Sequence, residues 1–320
     1  MVTMIAIAKK DAGVTLIELM IVLVIAAFLV AGVYSLFITQ HRSYSVQDQV
    51  VGVQQDARAA LNIMARDIRM AGFVAGAGST SGFTDGTNSV PVGVFTFAVN
   101  PTNSTTAPDT LTVVFGAENW GTVQSVAGTQ VTLDRNVNSD CGFVAFDLLP
   151  GRLYNVSNAG DGDNSITVTS VPTGSKVEEG KAYGVQAITY SVTAPDGSPG
   201  IGVLRRNENT GSGAQPLAGD GINTVVEDLQ FAYQVSGVNY WTFDGVLDAD
   251  NGETSDTALP VGTSNANIRM IRINIIVKTA IADPKETGFF KPACEDREQV
   301  DTDPGNRRRV YTTEVKVRNL

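Results

Sequence analysis

Along the first 72 residues the apolar positions fall into two successive patterns. From Leu19 to Ile38 there are 20 residues without a single charge. At the rise of a helix such a run is roughly 30 Å long, the thickness of a bilayer's hydrocarbon core. From Gln40 to Met70 there is no Pro, and apolar residues recur at Val46, Val50, Val53, Ala57, Ala60, Met64 and Ile68. Steps of three and four put them on one stripe of a helix, with Arg58, Arg66, Asp67 and Arg69 off that stripe. Together the patterns predict one helix from Val14 to Ala71, roughly 87 Å long, with Gly72 as its stop. The first half is apolar all round and suits lipid. The second half is one-sided and suits packing on a protein core.

Beyond residue 72 the period changes to two. Short Val-, Thr- and Tyr-rich runs predict strands at 93–99, 110–115, 122–126, 130–133, 165–171, 185–193, 202–206, 225–235, 240–243, 268–279 and 309–317. Turn signals such as Asp161-Gly162, Pro195-Asp196-Gly197 and Asp244-Gly245 separate several of them. The alternation is clearest where Ile271, Ile273 and Ile275 oppose Arg272 and Asn274, and where Val315 and Val317 oppose Glu314, Lys316 and Arg318. The expected fold class is α+β: a long N-terminal helix, membrane-spanning in its first half, packed on a mainly antiparallel β head. Three segments follow: a leader at 1–13, a helix at 14–72 with its membrane span at about 19–38, and a β-rich head at 73–320.

Charge adds direction. Lys9 and Lys10 precede the apolar run, which favours keeping that end in the cytoplasm and sending the head across the membrane. The chain carries -10 overall. The leader (Lys9, Lys10, Asp11) contributes +1, and four acids balance four bases in the helix, so the head carries -11. An acidic head disfavours nucleic acid, and no direct nucleic-acid binding is expected. Arg307-Arg308-Arg309 is a local exception, read as a solvated strand start that blunts a sheet edge. His41 is the one histidine and lies outside the head, which argues against a Ser-His-Asp triad or a multi-His metal site there. The expectation is no enzymatic activity and no cofactor. One acidic loop, with Asp244, Asp248, Asp250 and Glu253, offers oxygen ligands of the kind calcium takes. Its EF-hand spacing fails at Gly252, and an exposed acidic turn is the favoured reading, with calcium the weaker alternative. In an oxidising compartment Cys141 and Cys294 are expected to pair as one disulfide. Such a bridge, closing a loop of about 150 residues, is worth roughly 4–5 kcal/mol.

The string Lys9-Lys10-Asp11-Ala12-Gly13-Val14-Thr15-Leu16-Ile17-Glu18-Leu19 resembles a prepilin-type (class III) leader and processing site. The resemblance implies that a prepilin peptidase cleaves after Gly13 and that Val14 becomes the methylated first residue. Glu18 is then the fifth mature residue, where the family keeps a glutamate that neutralises a neighbouring subunit's terminal amine. Val14 departs from the family's usual Phe. Further on, Val226-Glu227-Asp228-Leu229-Gln230-Phe231-Ala232-Tyr233 is similar to a strand of PilW-type minor pilins and GspJ-type pseudopilins. Ile271 to Ile275 and the ending Arg308 to Asn319 resemble the family's later strands. The resemblance implies a minor pilin in type IV pilus assembly or priming, near the filament tip. Its partners would be other pilin subunits, met through the N-terminal helix, the peptidase, and an inner-membrane assembly platform. The head would stand in the periplasm before assembly and outside the cell afterwards. A type II secretion pseudopilin, or an adhesive module using loops 74–109 or 244–266, are the other readings.

Overall fold

The computed structural model describes residues 14–78, 82–85, 96–104, 106–137, 141–159, 162–170, 172, 177–193, 202–208, 213–219, 224–238, 241–242, 264–282, 288, 291–295 and 305–320. The chain divides into two compact units, Met1–Gln49 and Val50–Leu320. Helix α1, Leu16–Met70, begins in the first and ends in the second.

In the first unit most apolar residues of α1 stand exposed among the described residues. Leu16, Phe28 and Val30 are among many that stand exposed. In the second unit the helix becomes one-sided. Val53, Ala57, Ala60, Met64 and Ile68 are buried, as the stripe predicts, and Leu61, Ala65 and Ala71 join them. The alanines let the helix backbone come close to the strands, while Met64 and Ile68 fill volume. Burying each of those two is worth about 1.5–3 kcal/mol.

Two antiparallel sheets receive this face. The larger contains β1 (Val99–Thr102), β2 (Thr110–Ala127), β3 (Gln130–Val137), β4 (Phe143–Phe146), β5 (Tyr154–Ala159), β6 (Asp163–Val168), β7 (Lys181–Thr193), β8 (Val203–Glu208) and β9 (Ala214–Ala218). Its order is β1-β2-β3-β6-β5-β4-β7-β8-β9, and β2 also pairs with β7. Strands β2, β3, β6, β5, β4 and β7 therefore form a closed circuit. The long β2 makes this geometry possible. Residues 111–122 pair with β7, with bulges at Gly116/Glu118 and Asn119/Gly121 inside that stretch, and residues 123–127 pair with β3. Gly121 has φ +114°, and a Cβ there would lie 2.1 Å from Asp134 Oδ1, so only glycine fits. The circuit has its own buried cluster, which includes Trp120, Leu133, Phe146, Tyr154 and Ile166.

The smaller sheet is β10 (Thr224–Val235), β11 (Ile268–Thr279) and β12 (Arg308–Lys316), in that order. A bulge falls between Val226 and Asp228. The extra residue, Glu227, shifts the alternation by one. Val226 therefore faces the helix, and so do Leu229, Phe231 and Tyr233, while Asp228 and Gln230 turn to the other face. Residues of both sheets meet α1 in one cluster: Leu111, Phe115 and Tyr190 from the larger, Phe231, Ile273 and Val315 from the smaller.

Several strand expectations need correction. The runs at 110–115 and 122–126 are one strand, because bulges rather than a turn separate them. The expected strand at 93–99 is instead β1 at Val99–Thr102, residues 93–95 lying outside the described residues. Of the expected strand at 240–243, the described part holds only the bridge of Thr242 to Tyr233. Strands β4, β5 and β9 have too few alternating apolar positions to stand out by pattern. The helix ends at Met70, and Gly72 follows with φ +76°. A Cβ at Gly72 would meet Leu320 Cδ2 at 2.6 Å, so the stop depends on a close approach as well as on backbone freedom. Asn319 Nδ2 donates towards the last carbonyls, those of Arg69, Met70 and Ala71, at 3.3–3.4 Å.

Candidate assembly helix and its buried anchor

Thr15 precedes the first helical residue, and its Oγ1 accepts a hydrogen bond from the Glu18 backbone N–H at 3.3 Å. The spacing Thr-x-x-Glu is that of a capping box. Glu18 sits in the first turn and Arg69 in the last, so both charges complement the helix dipole. Glu18 is exposed, as are Val14 (73% exposed) and Leu16 (81%) beside it. α1 is long and apolar enough to cross a membrane, and none of its most apolar stretch is buried. Gly13, on the other side of the expected cleavage point, lies outside the described residues. The capping role of Thr15 was legible in the sequence from its spacing to Glu18.

At the other end of the helix, Asp67 is 2% exposed. This corrects its placement off the packing stripe. Its Oδ2 accepts hydrogen bonds from Tyr190 Oη on β7 at 2.7 Å and from Arg206 Nε on β8 at 2.9 Å. Arg66 Nε lies 3.1 Å from its Oδ1, and Arg206 also pairs with Glu208. A buried carboxylate is tolerable only with such partners. Burial pushes the Tyr190 hydroxyl well above its ordinary range, and the nearby Asp67 charge pushes it further. Burial alone would lower Arg206; its hydrogen bonds to Glu208 and Asp67 outweigh that and hold it above its ordinary value. The network fixes one register of helix on sheet. Sequence spacing gave no sign of it, since the partners stand 123 and 139 residues away.

A second polar network covers the face of the smaller sheet turned from the helix. Asp228 is fully buried and meets Lys291 Nζ at 2.5 Å and Gln230 Nε2 at 2.9 Å. Asn274 bonds Glu295 and accepts from Thr312 Oγ1 at 2.6 Å. Arg272 pairs with Glu314 at 3.2 Å and lies 4.1 Å over the Trp241 ring. Arg308 meets Glu227 through two nitrogens, at 2.7 and 3.1 Å, and its side chain is 2% exposed. The reading of all three arginines as a solvated strand start therefore fails at Arg308, because the bulge places Glu227 against it.

The expected Cys141–Cys294 bridge is not formed. Cys141 is buried in the cluster of the closed circuit. Cys294 lies between Lys291 and Glu295, which hold that segment to β10 and β11 of the other sheet. Asp244, Asp248, Asp250 and Glu253 lie outside the described residues. Among the described residues no group of His, Cys, Asp and Glu is placed to hold a metal ion. His41 is exposed on α1, its ring 6.2 Å from that of Phe37.

Residues 8–34 match the Prokaryotic N-terminal methylation motif, and residues 189–319 match the family described as Type IV Pilus-assembly protein W. The second match takes in the end of β7, strands β8 and β9, and the whole smaller sheet. No curated protein matches the chain. Among solved structures, a type IV-like pilin from Thermus thermophilus is similar at 11% identity and a TM-score of 0.39, covering 83% of this chain and 96% of that one. The motif and the bare apolar helix fit a membrane-anchored pilin. In these two parts, 8–34 and 189–319, the chain is similar to the PilW-type type IV minor pilins.

Proposed function

We propose that this chain is a membrane-held prepilin that becomes a filament subunit and takes part in priming or capping the pilus near its tip. The observation that carries this reading is the contrast within α1. Its first half is exposed on every side and apolar, with Glu18 the one charge between Val14 and Ile38. Such a surface is stable in lipid, or among helices like itself. Passing from one to the other exchanges apolar surroundings at little net cost. Glu18 is the exception. In a filament it lacks water and needs a positive partner, and the methylated amine of a neighbouring Val14 is the partner proposed. Its place in the first turn, held by Thr15, keeps it near the interface while the subunit is in the membrane, where the cost of a carboxylate is lower.

In this reading a prepilin peptidase cleaves after Gly13, the head stands in the periplasm, and an inner-membrane platform extracts the helix. The role is mechanical and not catalytic. Intact-mass measurement of the mature chain tests the first step: loss of residues 1–13 and one added methyl are expected. A leader still attached in cells with an active peptidase overturns the reading. Glu18→Gln tests the second. It keeps length and polarity but removes the charge, so membrane insertion persists while filament incorporation falls. Undiminished incorporation rejects the charge role.

A further inference from the structure

We infer that the outer edge of β12 is a docking site for an extended acidic segment of another protein, which joins the smaller sheet as a further strand. The other sheet edges are closed. The larger sheet ends at β1 and β9, which are four and five residues long and contain Pro101 and Pro216. Shortness and proline both deter pairing. The edge of β10 is met from within the chain. Val226 N–H donates to the Gly202 carbonyl at 2.9 Å, and Asp109 N–H donates to the Leu229 carbonyl at 2.8 Å. Asp109 Oδ2 accepts from Phe231 N–H at 3.0 Å, and Thr242 bridges to Tyr233. Strand β12 differs. It runs nine residues without proline, and its register on β11 has no bulge. Among the described residues no strand lies beyond it. Val317 N–H donates to the Arg269 carbonyl and Thr279 N–H to the Arg307 carbonyl. The odd-numbered residues therefore face β11, and the N–H and C=O groups of Val310, Thr312, Glu314 and Lys316 point the other way. Val310 is 38% exposed beside them.

The occupant follows from charge. Residues 305–320 hold five bases (Arg307, Arg308, Arg309, Lys316, Arg318) and one acid, Glu314, a balance of +4 on a head that carries -11. Arg308 is held by Glu227, while Arg309, Lys316 and Arg318 are exposed. These charges deter a second copy. Laid antiparallel about Thr312, a second β12 sets Lys316 against Arg308; about Thr313, it sets Arg318 there; laid parallel in register, it sets like on like. An acidic strand is attracted where the copy is repelled. Arg309 and Lys316 stand seven positions apart, roughly 23 Å along a strand. Between them lie Val310, Tyr311, Thr312 and Thr313. The occupant thus carries carboxylates near both ends and uncharged β-branched residues between. Main-chain bonds supply its affinity and the end charges its selection. This goes beyond the filament-subunit reading and does not depend on it.

The probe is a synthetic peptide of about nine residues, threonine alternating with valine between glutamates at both ends. Its binding to the full chain in uncharged detergent micelles is followed by fluorescence anisotropy, and amide exchange locates it. The peptide binds and slows exchange at Val310, Thr312 and Glu314, leaving Tyr311 and Thr313 unchanged because β11 already pairs them. A peptide with lysine for glutamate, and one with alternate backbone nitrogens methylated, each bind about tenfold more weakly, the scale of one or two lost hydrogen bonds. Val310→Pro removes an outward N–H but keeps the ladder to β11, so binding falls while thermal unfolding is unchanged. Arg309→Glu combined with Lys316→Glu turns the preference to the lysine peptide. No binding of the acidic peptide, equal binding of the lysine or methylated peptide, or slowed exchange elsewhere than β12 overturns the inference. Self-association of the wild-type chain that Val310→Pro abolishes makes a second copy the occupant, and overturns it as well.

Discussion

The two halves of α1 are built from one unbroken helical sequence, yet they solve opposite problems. From Leu19 to Ile38 every side is apolar and exposed, and side-chain shape matters little because lipid tails or neighbouring helices conform to it. From Val53 to Ala71 one side is packed between two sheets, so volume, small residues and a single buried charge matter position by position. A change that is silent in the first half should therefore be damaging in the second. The Asp67 network shows the same contrast in polar terms: Glu18 is exposed in its turn, while Asp67 is enclosed by three partners.

The sharpest way to break this comparison is a matched pair of truncations. Ile68→Ala should destabilise the head by about 2–5 kcal/mol, while Ile25→Ala should leave it unchanged. Denaturant unfolding of the full chain in micelles, followed through the buried Trp120, reads both. Equal effects would show that the halves are not independent. Asp67→Ala comes next, at about 3 kcal/mol, because Arg206 and Tyr190 lose their shared acceptor. Asp67→Asn should cost less, since one hydrogen-bonded acceptor remains.

pH sharpens the same point. The Tyr190 hydroxyl is held above its ordinary 10.0, so the folded state keeps a proton that the unfolded chain releases. Its contribution is complete below pH 10 and falls as pH rises beyond that. Tyr190→Phe should flatten this alkaline loss while lowering stability at neutral pH, as unfolding measured across pH 8–11 would show. The smallest effect is expected at the cap. Thr15→Ala removes one hydrogen bond worth about 1 kcal/mol of local helix stability, visible as faster amide exchange around Glu18, with no change in head unfolding.

The helix and its change of character were legible because both patterns are local. A charge-free run, a three-four stripe and a glycine stop need no knowledge of partners. The alternation of Ile271, Ile273 and Ile275 was legible for the same reason: one face meets the helix and the other meets polar groups. Strands β4, β5 and β9 were not, because β4 and β9 are short and β5 carries few apolar positions.

By itself, then, the sequence determined where the chain is apolar on all sides, where on one, and where the period falls to two. Only the tertiary structure decided the closed circuit of β2, β3, β6, β5, β4 and β7, the burial of Cys141 inside that circuit, and the partners of Asp67. The reason is distance along the chain. Periodicity reports which side of an element is buried, but not what buries it. A carboxylate whose partners stand more than a hundred residues away looks no different from one in water until the fold brings them together.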